Sequence, residues 1–178
     1  MKIDKITTIY TGRTYTVEEV GVILPNGKQK VYDRINHRDS VTILPLDADG
    51  NIWFVKQFRL GSTSELLELP AGVMEEGEEP IGCAKREIRE EIGMAASQWK
   101  KLGSYYLAPG YATELNHAFL AQDLFSSPLD MDEDEFLHVE QFPIQTVLRM
   151  LHEDSIHDGK TLAALALFFQ NSVMQMER

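Results

Sequence analysis

Hydrophobic residues in the first part of the chain follow the patterns of β-strands and turns. β-Branched and aromatic residues predict strands over Ile3 to Tyr10 and Tyr15 to Leu24. The turn sequence Pro25-Asn26-Gly27 follows, and Gln29 to Ile35 is predicted to return as the paired strand. Because this leader, residues 1–38, has few core residues of its own, we expect a β-rich subdomain that packs on the main domain or on a second subunit.

The remainder of the chain, residues 39–178, combines apolar runs of strand length with segments of helical periodicity. The predicted strands are Val41 to Leu46, Ile52 to Phe58, Glu65 to Leu69, Leu102 to Leu107, His117 to Ala121 and Phe136 to Phe142. The predicted helices are one that begins at Pro80, Ile144 to His152, and Thr161 to Met176. Strands mixed with three helices favour an α/β (α+β) sandwich. The last helix carries an apolar stripe that is typical of a core or a dimer interface, made of Leu162, Leu165, Leu167, Phe168, Phe169 and Val173.

The helix that begins at Pro80 has an apolar side and an acidic side. Its apolar positions follow helical spacing, and Gly93 fits the left-handed position just past the helix end. Glu87, Glu90 and Glu91 are related by three- and four-residue steps, so their carboxylates share one side. Like charges at this spacing repel, whereas a hard divalent cation such as Mg²⁺ requires clustered carboxylate oxygens. The simpler alternative is a charged, solvated helix face.

Composition narrows the classes of partner. The 178 residues carry a net charge of −11, which argues against a nucleic-acid groove or an anionic membrane surface as the partner. Cys83 is the single cysteine, so no internal disulfide is expected, and its place in the helix suggests a small packing residue. We see neither a signal-like apolar run nor a span of about 20 apolar residues, and we therefore expect a soluble, cytoplasmic protein.

One motif combines the glycine-rich turn and the helix. Gly72, Glu78 and the run Arg86 to Met94 match every position of G-x5-E-x7-R-E-U-x-E-E-x-G-U, where U is apolar. This pattern resembles the Nudix box. The resemblance implies an α/β/α Nudix sandwich and hydrolysis of a nucleoside diphosphate linked to another group. It also implies that Glu87, Glu90 and Glu91 bind metal.

The same resemblance gives roles to the other residues of the box. It implies that Arg86 orients the glutamates and that Glu78 braces the loop. Gly72 is expected to permit a tight turn.

Segments outside the box resemble the ADP-ribose and nucleotide-sugar pyrophosphatase branch of this family. Gln57-Phe58-Arg59 followed by Leu66 to Gly72 is similar to its QxR…LLELPAG run, and Ala108 to Glu114 resembles its proline loop. Pro109 lies sixteen residues after Gly93, as expected for that loop. In this branch a leader like residues 1–38 forms a small sheet that is exchanged across a dimer, so the resemblance implies a homodimer.

The resemblance to this branch also implies further site residues. The Ala71 carbonyl is expected as an additional ligand of Mg²⁺, with Mn²⁺ as a substitute. Arg59 is expected to bind the diphosphate or terminal ribose, and its alternative is a surface arginine at a strand end. The remaining substrate-binding candidates are Arg34, Arg38, Pro109, Tyr111 and Glu114.

The catalytic base has several candidates. The resemblance places it on the acidic loop Ser126 to Glu135, where Glu133 and Glu135 are the candidates and Asp132 and Asp134 stand behind them. The alternatives are a solvated acidic loop without a catalytic role, and a base drawn from Glu90 or Glu91.

Two other functions remain open. A nucleoside triphosphate or dinucleoside polyphosphate hydrolase would release different products. A Nudix-fold module that binds nucleotide without hydrolysis typically lacks one or more box glutamates, whereas this chain keeps them all. The products released from a panel of substrates distinguish a sugar-nucleotide hydrolase from a triphosphate or polyphosphate hydrolase. Substitution of Glu87 and Glu91 distinguishes an enzyme from a module that only binds nucleotide.

Overall fold

The computed structural model describes residues 1–130 and 136–176. Contacts between residues divide the chain into two compact units. Unit 1 comprises Met1–Asp39 with Tyr105–Leu115, and unit 2 comprises Ser40–Ser104 with the described residues from Asn116 onward.

Unit 1 is built on an antiparallel three-stranded sheet in the order β1-β2-β3. Its strands are β1 (Lys2–Thr11), β2 (Tyr15–Ile23) and β3 (Gln29–His37). The turn between β2 and β3 contains Gly27 at a φ of 80°, as its Asn-Gly sequence predicts. The second segment of the unit runs beside β3, where the Ile35 N–H donates to the Tyr111 carbonyl at 2.7 Å. The predicted leader strands are therefore present within one or two residues of their expected bounds.

Unit 2 contains a mixed four-stranded sheet in the order β7-β4-β9-β8 and an antiparallel three-stranded sheet in the order β10-β5-β6. In the mixed sheet β4 pairs in parallel with β9 and antiparallel with β7. The strands are β4 (Ser40–Pro45), β5 (Asn51–Arg59), β6 (Ser64–Glu68), β7 (Ala71–Val73), β8 (Met94–Tyr106), β9 (Leu115–Ser126) and β10 (His138–Pro143).

Three helices pack on these strands. They are α1 (Pro80–Ile92), α2 (Ile144–His152) and α3 (Gly159–Met176). α1 and α3 both contact β4, whose six residues are all buried, and α2 contacts β5 and β10. The core between α1 and the strands contains Val41, Ile43, Val55, Cys83, Ala84, Ile88, Ile92, Phe119 and Ala121. Each fully buried aliphatic side chain contributes about 1.5–3 kcal/mol, so this core fixes α1 on the strands.

Local signals explain the ends of α1. Pro80 opens the helix, where its missing N–H removes no helical hydrogen bond. Gly93 ends it with a φ of 68°, in the left-handed region that favours glycine.

The structure adds two strand segments that the pattern did not predict. β7 has only three residues, and the first part of β8, residues 94–101, is too polar to show strand alternation. α3 begins at Gly159, two residues earlier than predicted. Within its apolar stripe Leu165 is buried and Leu162 is exposed, while the Val173 side chain lies outside the description.

None of the helices in the described part of the chain has the length and apolar character needed to cross a membrane.

The turn from β4 to β5 is organised by the Asp47 carboxylate. Its Oδ1 accepts the N–H groups of Asn51 at 2.8 Å and Asp49 at 3.0 Å, and its Oδ2 accepts the Trp53 indole N–H at 3.0 Å. Burial opposes ionisation of Asp47, but hydrogen bonds from Asn51, Trp53 and Asp49 outweigh it, so the pKa of Asp47 is lowered. Asp47 thus stabilises the turn in its ionised form.

We expect Asp47→Ala to lower the free energy of unfolding by about 1–2 kcal/mol at pH 7, because several hydrogen bonds to one carboxylate are lost. A group whose folded pKa is lowered stabilises the protein above its unfolded pKa of about 4, and this contribution is lost as the pH falls through its folded pKa. Urea unfolding at pH 7 and pH 3 should therefore show a smaller difference between wild type and variant at pH 3. The neighbouring exposed Asp49 supplies the control variant Asp49→Ala. An equal difference at both pH values would contradict this role of Asp47.

Candidate active site

The Arg86 guanidinium binds three glutamate side chains of the motif. Its Nη1 donates to Glu87 Oε1 at 2.7 Å and to Glu90 Oε2 at 2.8 Å. Its Nε and Nη2 donate to the two carboxylate oxygens of Glu78, each at 3.2 Å. Arg86 thus joins the acidic edge of α1 to the loop that precedes the helix.

Gly72 allows the Glu87 carboxylate to approach the backbone of β7. A Cβ atom at position 72 would overlap the carboxyl group of Glu87. Gly72 lies within β7 and has no left-handed φ, so the expectation that it permits a tight turn is wrong. The requirement for glycine here is steric space for a carboxylate.

Glu91, at the other end of the acidic edge, also contacts β7. The Ala71 N–H donates to Glu91 Oε2 at 3.0 Å. Glu87 and Glu91 are both buried, whereas Glu90 is half-buried. Side chains from successive turns of α1 therefore meet the backbone of residues 71 and 72.

The loop between β7 and α1 is closed by Glu78. Its Oε2 accepts the Glu75 N–H at 2.9 Å in addition to the bonds from Arg86. Burial opposes its ionisation, but Arg86 and the Glu75 N–H outweigh burial, so the pKa of Glu78 is lowered. Burial also opposes the charge on Arg86, yet Glu78 and Glu87 raise its pKa. Both groups are therefore ionised near neutral pH.

Cys83 lies in the core below this cluster. Burial and then the charges of Glu87 and Glu78 raise the pKa of its thiol far above the usual range. A thiol that stays protonated is a poor nucleophile, so Cys83 has the properties of a packing residue.

Arg59 takes part in a second charged cluster in unit 2. Its Nε and Nη2 donate to the two oxygens of Glu68, each at 2.6 Å. Lys160 Nζ donates to Glu68 Oε2 at 2.8 Å and to Asp158 Oδ1 at 2.9 Å. The bond to Glu68 raises the pKa of Arg59 against burial, and the charges of Glu68, Glu91 and Asp158 add to this effect. Arg59 therefore lies within electrostatic reach of Glu91.

Five predicted binding residues belong to unit 1. Arg34 forms an ion pair with Glu18, whose Oε2 accepts its Nη2–H at 2.7 Å. Arg38 is exposed and lines a cavity of about 290 Å³ with Arg13, Tyr15 and His37.

The remaining three of these residues lie on the 105–115 segment of unit 1. Pro109 and Tyr111 are exposed, and Glu114 Oε2 lies 3.8 Å from Nδ1 of His37. The assignment of substrate binding to these five residues stays a prediction.

Two of the candidates for the catalytic base, Glu90 and Glu91, belong to this cluster, and the others are on the acidic loop. Glu133 and Glu135, with Asp132 and Asp134, lie outside the described residues. Over residues 1–130 and 136–176, no three Asp, Glu, His or Cys side chains form a metal-binding group by themselves.

Sequence reasoning missed three residues of the Arg59 cluster: Glu68, Asp158 and Lys160. One signal was available, because Asp158 stands three residues before Thr161 at the start of a helix. Asp158 Oδ2 accepts the Thr161 N–H at 2.9 Å, as an N-cap does. The pairing of Glu68 with Lys160 spans 92 residues and has no local pattern.

Comparisons with known proteins agree with the motif. A profile of the NUDIX domain matches residues 36–165. The ADP-ribose pyrophosphatase of Bacillus subtilis (strain 168) is 33% identical over 172 residues, which cover 96% of this chain and 93% of that protein. The GDP-mannose pyrophosphatase of Citrobacter koseri is 31% identical over 157 residues, covering 83% and 80% respectively. A crystal structure of an ADP compounds hydrolase superposes with a TM-score of 0.87 at 28% identity, covering 98% of this chain and 95% of that one.

We expect Gly72→Ala to lower the free energy of unfolding by about 1–3 kcal/mol, because the added methyl group displaces the buried Glu87 carboxylate. In a Glu87→Ala background the same substitution should have little effect, since the overlapping group is gone. Urea unfolding of the four proteins in this double-mutant cycle measures the coupling.

Gly61→Ala is the matched control, because a Cβ atom there meets nothing within 4 Å. An equal penalty for Gly72→Ala in both backgrounds would show that the steric requirement does not come from Glu87.

Proposed function

Because this chain belongs to the NUDIX domain family, we propose that it hydrolyses the diphosphate bond of ADP-ribose or another nucleoside diphosphate sugar. The products are a nucleoside monophosphate and a sugar phosphate. The observation that carries the proposal is the cluster of Glu87, Glu90 and Glu91 around Arg86 and residues 71–72, in a chain that keeps every position of the box. The names of the similar pyrophosphatases support this substrate class.

Nudix hydrolases generally need a divalent metal, and we propose Mg²⁺ here, with Mn²⁺ as a substitute. The donor set fits, because hard cations bind carboxylate and carbonyl oxygens and Gly72 leaves room for the Glu87 carboxylate beside the strand. We assign Glu87, Glu90, Glu91 and the Ala71 carbonyl as the groups that would hold the metal. A bound Mg²⁺ supplies neutralisation of phosphate charge and acidification of water.

The other roles concern the protein's own side chains. Arg86 keeps the glutamates in place through its bonds to Glu87 and Glu90. Arg59 binds phosphate oxygens of the substrate, since its planar guanidinium matches them and the charge of Glu91 contributes to its raised pKa. Glu133 or Glu135 accepts the proton of the attacking water, with Glu90 or Glu91 as the alternative base.

The candidates in unit 1 complete the proposed substrate site. Arg34, Arg38, Pro109, Tyr111 and Glu114 are proposed to contact the nucleoside or the sugar. Tyr111 is exposed, which leaves its ring available for stacking.

A substrate panel with Mg²⁺ tests this function. We expect turnover of ADP-ribose, GDP-mannose or a UDP-sugar with release of a monophosphate and a sugar phosphate, and loss of turnover with chelator. Glu87→Gln and Glu91→Gln should each lower kcat by about 100-fold or more, because each removes a charged oxygen ligand. Product analysis by chromatography and steady-state kinetics supply the measurements.

Glu76→Gln is the control, since Glu76 is exposed and lies on the loop between β7 and α1, outside the glutamate cluster. Release of pyrophosphate from triphosphates, with no turnover of sugar nucleotides, would favour the triphosphate hydrolase. Binding of nucleotide without any turnover would favour the non-catalytic module, and full turnover in both glutamine variants would reject the metal assignment.

We also propose that the chain forms a cytoplasmic homodimer through its leader, residues 1–38. Cross-strand register places Ile3, Ile6 and Tyr32 on one face of the β1-β2-β3 sheet with Val20 and Val22. The first three side chains are exposed. Val20 and Val22 are buried, and the exposed apolar side chains of Ile3, Ile6 and Tyr32 beside them support contact with a second copy.

Sedimentation velocity should show a dimer for the wild type and a monomer for Ile6→Lys, because a buried lysine charge disfavours the interface. Val31→Lys is the matched control, since Val31 is also exposed but pairs with Gly21 on the opposite face. A monomeric wild type, or loss of the dimer only in the control, would contradict this interface.

A further inference from the structure

Among the described residues, Glu68 is the most deeply buried charged group, and it has two cationic partners. Its side chain is only 1% exposed. Arg59, at the end of β5, donates to both Glu68 oxygens, and Lys160, at the start of α3, donates to Oε2. Lys160 also pairs with the buried Asp158, so this cluster holds two carboxylates and two cations, and Lys160 contacts both carboxylates.

The two cations differ in their access to solvent. The Arg59 side chain is 39% exposed, whereas the Lys160 side chain is 17% exposed and also bonds to Asp158 at 2.9 Å. Arg59 is therefore the outer partner of Glu68, and Lys160 is the inner one.

The inner partner is fixed by the start of α3. Asp158 holds Lys160 and accepts hydrogen bonds from the Thr161 N–H and hydroxyl at 2.9 and 2.7 Å. The Thr161 Oγ1 in turn accepts the Leu69 N–H at 2.8 Å. Lys160 is thus tied to the segment that continues into Ala71 and Gly72.

This arrangement has a consequence for Arg59. If Arg59 were the single counterion of Glu68, its transfer to a substrate phosphate would leave an uncompensated charge in a buried position, which is strongly unfavourable. With Lys160 in place, Glu68 keeps a counterion after Arg59 has turned away.

We propose that Lys160 is a positioning residue that retains the buried Glu68 carboxylate and thereby releases Arg59 to bind the substrate diphosphate. Before substrate arrives, Glu68 binds Arg59 and competes with the diphosphate for it, and Lys160 lowers the energetic cost of exchanging Glu68 for phosphate oxygens. The inference rests on the proposed function. It adds Lys160 of α3 to the residues that determine how tightly the diphosphate binds.

Lys160→Met tests the proposal in the full-length protein. Of the two cations that bind Glu68, this variant keeps Arg59 and loses Lys160, so the release of Arg59 becomes more costly. We expect KM for ADP-ribose to rise by about tenfold or more while kcat changes by less than about threefold. Lys160→Arg keeps a cation and should restore KM to within about threefold of wild type.

The double variant Glu68→Gln/Lys160→Met separates this role from simple structural support. Removing the Glu68 charge removes its need for a counterion, so KM should return towards the wild-type value even though three ion pairs are lost. A structural role predicts the opposite, namely that the second substitution adds to the defect. Should Lys160→Met fail to fold, Glu68→Gln alone decides: KM is expected to fall, and an unchanged or raised KM overturns the proposal.

Lys56→Met is the matched control, because Lys56 pairs with Glu65 at 3.1 Å across the same two strands but both side chains are well exposed. The KM of the Lys56→Met variant for ADP-ribose should not change. Absence of turnover in the wild type rejects the proposed function and this inference with it. Wild-type turnover that is weakened by Arg59→Gln, together with an unchanged KM in Lys160→Met, rejects the role of Lys160 alone.

Discussion

Repulsion between carboxylates on one edge of α1 is the constraint on which this site depends. Glu87, Glu90 and Glu91 lie within one turn of each other, and two of them are buried. Arg86 offsets part of the repulsion through bonds to Glu87 and Glu90, while the Ala71 N–H binds Glu91. The acidic edge is therefore stable only while the strand segment and the loop before α1 remain against the helix.

The short segment of residues 68–72 connects the two charged clusters of unit 2. Glu68 binds Arg59 and Lys160, the Leu69 N–H binds Thr161, and the residues Ala71 and Gly72 receive the glutamates of α1. Helices α1 and α3 thus act on the same few backbone groups from separate parts of the chain. A substitution at the start of α3 can for this reason affect binding at the glutamate edge without touching it.

Local patterns were enough to predict most of the fold. Proline at the start of α1, glycine at its end and the Asn-Gly turn after β2 are signals within a few residues, and the structure confirms them. The family inferred from the box is also confirmed. The sequence did not predict β7, because three residues give no periodicity, or the bond between Glu68 and Lys160, because it joins residues 92 positions apart. The role of Gly72 was misread for a related reason, since the group that requires its missing side chain lies fifteen residues later on α1.

The buried Cys83 has a practical consequence. It is the single thiol of the chain, it packs at the base of α1, and its proton is tightly held. Alkylating reagents are electrophiles that thiolates attack, and they can reach Cys83 only when the helix detaches from the strands. The rate at which such a label is incorporated therefore reports local opening beneath the glutamates, and the chain carries this sensor without any engineered residue.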